Sequence, residues 1–389
     1  RDEKRRDIRE TDYKAASIPA DLLKRVVEVT GNSDSRKGMM YRALSGADVA
    51  LEDFEDSLAP TITALLDGQI NLRDRLNGTL SFTKDDGSVL RLNESAAVPI
   101  VRPRGWHMSE KHILIDGKPV PAGLFDFGLF MYTNQAEFRR RVQERRGSGA
   151  YFYIAKIEHY LEAKLWNDTF AAAQKELELP PGSIKATVLI ETIPAVFQMD
   201  EIIYELKDHM AGLNAGRWDY IFSYIKKFVK SPKYVLPDRK KVTMLTDMMN
   251  AYAKLLIKTV HKRGVFGMGG MSAFVPTKHE ATNRVAFEMV AADKQNEAKI
   301  GHDGTWVANP NLVNIARAPF SEVLKDKPNQ MDRMLDDFST TAETLLTPPA
   351  GDITEAGLRT NIRVGVQYVA AWIGGQGAVA IEDLMEDAA

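Results

Sequence analysis

Two carboxylates of this chain lie beside apolar, β-prone segments. Glu191 belongs to the run Ala186-Thr-Val-Leu-Ile-Glu-Thr, and Asp219 follows in Gly212-Leu-Asn-Ala-Gly-Arg-Trp-Asp-Tyr-Ile-Phe. If these carboxylates stand side by side at the ends of parallel strands, they offer a pair of hard oxygen ligands. Mg²⁺ is commonly bound through one or two carboxylates together with substrate oxygens and water. The sequence therefore predicts a divalent-metal site built on Glu191 and Asp219.

Arg102 follows the apolar run Ala97-Val-Pro-Ile-Val, which has the composition of a buried strand. In a barrel of parallel strands, a charged residue at the C-terminal end of a strand faces the active site. Because arginine does not lose its proton, its expected role there is to stabilise negative charge that develops on an oxygen. The alternative is a structural arginine that ties loops together by salt bridges, and position alone leaves both open.

Acidic residues close another predicted strand, in the run Asp53-Phe-Glu-Asp-Ser57. Strand alternation places Asp53 and Glu55 on one face and Asp56 on the other. Asp56 or Ser57 could cap a helix, or these carboxylates could support the metal ligands. A second acidic cluster, at 382–387, would by itself be interpreted as a solvated tail.

The elements that must position these residues alternate between short apolar strands and amphipathic helices, which predicts a parallel sheet with helices outside. Seven or eight strands over roughly 300 residues fit a closed (β/α)8 TIM barrel better than an open sheet. Gly267-Met-Gly-Gly270 is either a tight turn before a strand or a close backbone approach to a ligand. The predicted strands are 49–54, 98–102, 150–154, 185–191, 220–223, 273–276 and 305–308.

Helical spacing predicts four further segments. These are a short helix near 21–29, a helix containing Ile203, Leu206, Met210 and Leu213, a helix containing Met249, Tyr252, Leu256 and Val260 before Gly264, and a helix over 355–373 whose buried stripe is Leu358, Ile362, Val366 and Val369. We expect an N-terminal arm over 1–45 and a barrel over 46–340 with hairpins inserted near 79–92 and 112–121. Residues 341–389 are expected to form a linker and the truncated start of a C-terminal helical region.

Composition narrows the class of protein. The chain has 389 residues, 44% hydrophobic, with a formal net charge of −2 and no cysteine. The near-zero charge gives no overall attraction to nucleic acid or anionic membranes, and no apolar run reaches the ~18 residues of a spanning helix. Without cysteine there is neither a thiolate metal site nor a cysteine nucleophile. No P-loop, dinucleotide fingerprint, H-E-x-x-H or G-x-S-x-G motif is present.

Eight sequence strings, in order along the chain, closely resemble malate synthases of the isoform A class. The strings are Arg102-Pro-Arg-Gly-Trp-His, Leu124-Phe-Asp-Phe-Gly, Tyr151-Phe-Tyr-Ile-Ala-Lys, Ala186-Thr-Val-Leu-Ile-Glu-Thr, Gly216-Arg-Trp-Asp-Tyr-Ile-Phe-Ser, Val235-Leu-Pro-Asp-Arg, Gly301-His-Asp-Gly-Thr-Trp and Leu384-Met-Glu-Asp-Ala-Ala. The resemblance runs from end to end. It implies a TIM-barrel acyltransferase of the glyoxylate bypass that uses Mg²⁺ to condense acetyl-CoA with glyoxylate and to hydrolyse the product to malate and CoA.

The resemblance also implies roles for individual residues. Glu191 and Asp219 correspond to the two metal ligands, Arg102 to the catalytic arginine and Asp387 to the catalytic aspartate. Family members continue beyond this aspartate into a helical domain, and this chain is expected to be truncated relative to them.

Supporting roles follow from the same resemblance. Glu55 and Asp56 match acidic positions near the metal that hold its waters. The backbone at Gly216, Arg217 and Trp218, up to Asp219, matches the loop that holds the glyoxylate carboxylate.

Some expectations concern partners and alternatives. We expect acetyl-CoA and glyoxylate as substrates, no nucleic acid or membrane partner, a monomer or weak oligomer, and a cytoplasmic location, or a peroxisomal or glyoxysomal one in a eukaryote. The sequence does not choose between Mg²⁺ and Mn²⁺. The alternatives are a lyase that cleaves malyl-CoA without hydrolysing it, and an inactive core that only binds ligand.

Overall fold

Eight parallel strands close into a barrel in the computed structural model, which describes residues 6–389. Around the barrel each strand pairs with its neighbours along the chain, and the last pairs with the first. The prediction of a TIM barrel is confirmed. The barrel strands are β1 Val27–Asn32, β2 Val49–Asp53, β5 Val98–Arg102, β8 Tyr151–Ile154, β9 Lys185–Leu189, β10 Met210–Asn214, β11 Phe266–Ser272 and β12 Gly304–Val307.

Helices surround the barrel, and three small antiparallel hairpins lie outside it. Two of these hairpins occupy the segments predicted for insertions. The hairpins are β3 Ser81–Thr83 with β4 Val89–Arg91, β6 Ser109–Ile115 with β7 Lys118–Pro121, and β13 Val379–Ile381 with β14 Leu384–Glu386. The α-helices are α1 Arg6–Glu10, α2 Arg36–Ala43, α3 Ile62–Leu76, α4 Ala122–Gln143, α5 Tyr160–Glu176, α6 Ile193–Val196, α7 Met199–Glu205, α8 Arg217–Phe228, α9 Asp247–Arg263, α10 Glu280–Ile300, α11 Val313–Leu324, α12 Ala342–Leu346 and α13 Glu355–Ile373.

The first barrel strand lies where the sequence predicted a helix near 21–29, inside the segment expected to be an arm. That helix is wrong, because the chain makes only a short 3₁₀ turn before β1. The strand was missed because it contains or adjoins the charged residues Arg25 and Glu28, which are not typical of a buried strand. Their side chains are buried as an ion pair inside the barrel, where Arg25 also donates to the hydroxyl of Thr187 at 2.9 Å. This polar network fills the barrel below its mouth.

In the second half of the chain, one segment predicted as a helix is partly a strand, and one predicted as a strand is a helix. The helix predicted through Met210 and Leu213 is wrong, because α7 ends before them and they form β10. The strand predicted at 220–223 is wrong, because those residues are the middle of α8. A short apolar run fits a buried strand and a buried helix equally well, so periodicity alone could not separate them.

The glycine-rich run belongs to a strand and not to a turn. β11 spans the run, whereas the strand predicted at 273–276 lies beyond its end. A Cβ at Gly270 would lie 3.0 Å from the carbonyl oxygen of Ala215, so glycine allows close packing inside the barrel wall. The helix predicted before Gly264 is present as α9, and Gly264 ends it with a φ of 75°.

Helix α13 has the bounds predicted for it, but its apolar stripe is not buried. Leu358, Ile362, Val366 and Val369 are all more than half exposed. In residues 6–389 no element packs over this stripe, so the expectation of a buried face is wrong for the part of the chain described. None of the described helices combines the length and apolar character needed to cross a membrane.

Candidate active site

The mouth of the barrel, where the strands reach their C-terminal ends, gathers the predicted site residues. Asp53 and Arg102 end β2 and β5 and are paired in register. Glu191 follows β9 by two residues, and Asp219 lies in the first turn of α8. With Asp387, they line a cavity of about 260 Å³. The predicted metal ligands, arginine and aspartate therefore share one chamber.

Arg102 is fixed by a two-pronged ion pair. Its Nε donates to Asp53 Oδ1 at 2.7 Å, and Nη2 donates to Asp53 Oδ2 at 2.6 Å. The remaining nitrogen, Nη1, lies 3.5 Å from Glu55 and 3.6 Å from Asp56. Burial opposes the charge, but Asp53, with smaller contributions from Glu55 and Asp56, outweighs burial and raises the pKa of Arg102. The arginine therefore ties two strand ends together and keeps one charged edge on the acidic side of the cavity.

Asp53 shapes the acidic turn that follows it. Its carboxylate accepts hydrogen bonds from the backbone N–H of Glu55 and of Ser57, each at 2.9 Å, and from the Ser57 hydroxyl at 2.6 Å. The conformation of this turn is therefore stabilised by hydrogen bonds to the carboxylate of Asp53. Asp56 and Ser57 do not cap a helix, because α3 begins later and is capped by Thr61. Of the two alternatives for these residues, the capping role is wrong.

Lys156, to which the sequence analysis gave no role, lies among the carboxylates. Its Nζ is 2.7 Å from Glu55 Oε1, 2.7 Å from Asp56 Oδ2 and 3.0 Å from Asp219 Oδ1. Its backbone N–H donates to Glu191 Oε1 at 2.7 Å. The residue has a φ of 52°, a left-handed conformation that costs a non-glycine residue about 1–3 kcal/mol. One strained residue therefore contacts both predicted metal ligands and both supporting carboxylates.

Burial is the main cause of the raised pKa values in this cluster, and neighbouring carboxylates add to it. Burial raises the pKa of Glu191, and burial followed by Asp56 raises the pKa of Glu55 and of Asp219. Asp56 differs, because the charges of Lys156 and Arg102, together with hydrogen bonds from its neighbours, outweigh burial and hold the pKa of Asp56 below its usual range. An additional cation would favour the ionised form of the other carboxylates.

Asp387 is a partly buried residue that lines the cavity, and it is not part of a solvated tail. It directly follows β14 and accepts a hydrogen bond from the backbone N–H of Ala389 at 3.0 Å. Burial, and then the charges of Asp56 and Asp219, raise the pKa of Asp387 to about 7. A carboxylate with such a pKa can both take up and release a proton near neutral pH.

The start of α8 forms another wall of the cavity. Gly216 precedes the helix, and a Cβ there would lie 2.7 Å from Glu191 Cβ, so only glycine fits without a shift. Arg217 donates to the carbonyl oxygen of Val242 at 3.0 Å and stacks 4.4 Å from the Trp218 ring centre. Among the described residues, Arg217 Nε and Trp218 Nε1 are buried donors without a hydrogen-bond partner. Such donors suit an anionic ligand.

Comparison with known proteins identifies the family. The family model "Malate synthase, TIM barrel domain" matches residues 98–348, and "Malate synthase, C-terminal" matches 352–389. The chain is 54% identical over 383 residues to a malate synthase of Myxococcus xanthus (98% of this chain, 70% of the relative). It is 50% identical over 383 residues to malate synthase A of Escherichia coli (98% and 71%). The chain belongs to the malate synthase family.

A plant relative agrees with this assignment, and a solved structure agrees with the fold. Glyoxysomal malate synthase of Gossypium hirsutum is 48% identical over 388 residues, covering 99% of this chain and 68% of the relative. The solved malate synthase of Haloferax volcanii, described as a pyruvate/acetyl-CoA ternary complex, matches with a TM-score of 0.56 and 17% identity. That match covers 94% of this chain and 87% of the other, and at this identity it supports the fold alone.

Three sequence predictions are thereby confirmed: the malate synthase family, the barrel fold and the enzyme class, an acetyl-CoA:glyoxylate C-acetyltransferase. The roles given to individual residues stay predictions.

Malate synthases use a metal cofactor, and the donor set of this chain fits one. The carboxyl groups of Glu191 and Asp219 line the same cavity, and Glu191 contributes to the raised pKa of Asp219. Across residues 6–389 no cluster of three or more acidic, histidine or cysteine side chains has the arrangement of a complete metal cage. A pair of carboxylates suits Mg²⁺, which keeps several waters and rarely uses an all-protein cage.

Two further residues of this malate synthase site escaped the sequence analysis as participants. Lys156 lies two residues after β8, the position at which a barrel strand delivers a side chain to the mouth. That position was a usable signal. Asp53 was considered only as a possible support for the metal ligands, and its pairing with Arg102 depends on the register between β2 and β5.

Proposed function

We propose that the chamber at the barrel mouth carries out the condensation, with Asp387 as the base and Arg102 facing the enolate oxygen. The observation that carries the proposal is that Asp387, distant in sequence, lines the same cavity as Arg102, Glu191 and Asp219. A base, a fixed cation and a pair of oxygen ligands are the parts that an enolate condensation needs.

The first step is removal of a methyl proton from the acetyl thioester. Such protons are very weakly acidic, so the base must be well placed and the enolate oxygen must be stabilised. Asp387 takes the proton, and in the metal-free site its raised pKa makes it a stronger base than an ordinary carboxylate. Arg102 is held rigidly by Asp53 and offers Nη1 to the forming oxyanion. The enolate carbon then attacks the aldehyde carbon of glyoxylate, and a carbon–carbon bond forms.

Glyoxylate binds on the opposite wall of the cavity. Its carboxylate accepts hydrogen bonds from the first backbone N–H groups of α8, which have no partner within the helix. The unpaired donors Arg217 Nε and Trp218 Nε1 belong to the same wall. The alkoxide produced by the attack takes a proton from water to give malyl-CoA, and Asp387 returns its own proton to solvent. Water then cleaves the thioester to malate and CoA.

Glu191 and Asp219 would hold a divalent ion, for which we propose Mg²⁺. When bound, the ion supplies Lewis-acid polarisation of the aldehyde. Glu55, Asp56 and Asp219 all contact the ammonium of Lys156, so the three carboxylates lie close together. From there Glu55 and Asp56 would hold water molecules bound to the ion. Lys156 keeps these carboxylates together and limits their mutual repulsion.

The setting of the enzyme is also part of the proposal. We infer a monomer or weak oligomer that acts on acetyl-CoA and glyoxylate in the cytoplasm, or in a peroxisome or glyoxysome in a eukaryote. The glyoxysomal names of plant relatives support the second location.

The roles are tested by Asp387→Asn in the intact enzyme, with Asp383→Asn, an acidic residue of the same hairpin, as the control. Thiol release from acetyl-CoA is measured with and without glyoxylate, and Mg²⁺ binding is measured by calorimetry. We expect Asp387→Asn to abolish thiol release while Mg²⁺ affinity and the control remain near wild type. Near-normal turnover of Asp387→Asn would contradict the assignment of the base. Accumulation of glyoxylate and acetyl-CoA from malyl-CoA, without malate, would indicate a lyase instead.

A further inference from the structure

The segment that carries Asp387 has few attachments to the barrel. It comprises α13 and the hairpin β13–β14, and no residue of α13 is buried. A base on such a segment needs fixed attachments, because a displacement of 1 Å can lower a rate by about 100-fold. The question is which contacts hold the hairpin above the cavity.

Two consecutive residues of the loop after α8, Asp238 and Arg239, contact the two ends of this segment. The carboxylate of Asp238 accepts from the backbone N–H of Thr354 at 3.0 Å and from its hydroxyl at 2.7 Å, at the residue that caps α13. Arg239 Nη2 donates to Glu386 Oε1 at 2.7 Å. Glu386 is the residue before Asp387, so the same loop contacts both the start and the end of the segment.

Backbone hydrogen bonds also join the hairpin β13–β14 to the residues that follow β11. Val275 N–H donates to the carbonyl oxygen of Asp383 at 2.9 Å, and Met385 N–H donates to that of Ala273 at 2.7 Å. These bonds set the height of the hairpin over the barrel. Both bonds involve the strand of the hairpin that also carries Glu386, or the residue just before it, so the ion pair with Arg239 adds a side-chain contact to that strand.

The same arginine reaches the metal side of the cavity. The guanidinium of Arg239 lies 5.6 Å from the ring centre of Trp218, which precedes the predicted metal ligand Asp219. The ion pair is only partly solvated, with side-chain exposures of 33% for Arg239 and 18% for Glu386. Arg239 therefore connects the hairpin to the first turn of α8.

We propose that Arg239 is a positioning residue for Asp387, with Asp238 securing the other end of the same segment. Arg239 acts through Glu386 and Trp218 and fixes the distance between the base and the glyoxylate wall. The inference rests on the proposed function, because it matters for catalysis only if Asp387 is the base.

The test compares Arg239→Gln with Arg363→Gln in the intact enzyme. Arg363 forms the other ion pair of the hairpin, with Glu382, on the exposed side. We expect Arg239→Gln to lower kcat by about 100-fold. The KM for glyoxylate and the Mg²⁺ dissociation constant should stay within about twofold of wild type, because the groups proposed to bind glyoxylate and the ion are not replaced. Arg239→Lys should recover part of the loss, and Arg363→Gln should match wild type.

A second readout does not depend on turnover. Hydrogen exchange at the amides of Val275 and Met385 should become about fivefold faster in Arg239→Gln and stay unchanged in Arg363→Gln. Unchanged exchange, or equal effects of the two variants on kcat, would overturn the inference. If Asp387→Asn keeps its activity, the proposed base is wrong. If Asp387→Asn is inactive but Arg239→Gln turns over normally, only the role of Arg239 fails.

Discussion

Replacement of Lys156 by methionine tests whether one ammonium holds the acidic cluster together. The substitution keeps the length of the side chain and removes the charge that contacts Glu55, Asp56 and Asp219 at 2.7–3.0 Å. Breaking a buried ion pair by removal of one partner costs about 3–5 kcal/mol, because the remaining charge is left uncompensated. The loss should appear when the protein is freed of divalent metal by EDTA.

The expected shift in melting temperature follows from the size of the chain. Unfolding entropy is about 2.1 cal/mol/K per residue, which gives about 0.8 kcal/mol/K for 389 residues. A loss of about 4 kcal/mol then lowers the Tm by about 5 °C in EDTA. Saturating Mg²⁺ should restore most of this loss, because the ion supplies positive charge to the same carboxylates. The difference in Tm with and without Mg²⁺ is therefore expected to be larger for the variant than for the wild type.

Lys185→Met is the matched control, measured by the same thermal scans. Lys185 is also largely buried, but it lies at the opposite end of β9. Within residues 6–389 its ammonium makes one hydrogen bond, to the carbonyl oxygen of Asp208 at 3.1 Å. Its replacement should not change the response to Mg²⁺. Equal Tm values for Lys156→Met and wild type in EDTA, or equal responses to Mg²⁺ in both lysine variants, would refute the reasoning.

Two further predictions concern the cation of the site and a buried histidine. In Arg102→Lys the side chain cannot make the bidentate contact with Asp53, so kcat should fall by about 10²–10³-fold while the affinity for Mg²⁺ is retained. Steady-state kinetics measures kcat, and calorimetry measures the affinity for Mg²⁺. A kcat within fivefold of wild type would contradict this prediction. Burial lowers the pKa of His302 from 6.5 to about 4. Its stabilising contribution is complete above about pH 6.5 and is lost as the pH falls towards 4, a loss of about 3 kcal/mol. Urea unfolding at pH 7.5 and 4.5 should show a smaller acid loss in His302→Asn, and parallel losses would contradict this.

The sequence was informative where one local pattern has one structural outcome. The alternation of strands and helices requires helices outside a parallel sheet, so the barrel could be predicted before any contact was known. Glu191 and Arg102 follow strands with unmistakably apolar composition, and the mouth of a barrel is the place where such residues meet. Their proximity therefore followed from topology.

Some strands and site residues were predicted wrongly or missed because their burial depends on partners in other segments of the chain. β1 contains the buried Glu28, whose charge is compensated by Arg25 from the preceding turn, and no local rule predicts such a pair. β10 was assigned to a helix because Met210 and Leu213 fit both periods, and only pairing with β9 and β11 decides between them. Lys156 is strained for reasons that lie in other segments.

The balance of charge explains why the metal pair and the base belong to one electrostatic unit. Arg102 is largely neutralised by Asp53, and Lys156 is shared among three carboxylates, so the cations of the site do not reach Asp387 with full effect. The charges that raise the pKa of Asp387 include Asp219, one of the proposed metal ligands. A divalent ion on Asp219 would weaken that repulsion and lower the pKa of Asp387. Metal binding would therefore favour the ionised, proton-accepting form of the base before acetyl-CoA reacts.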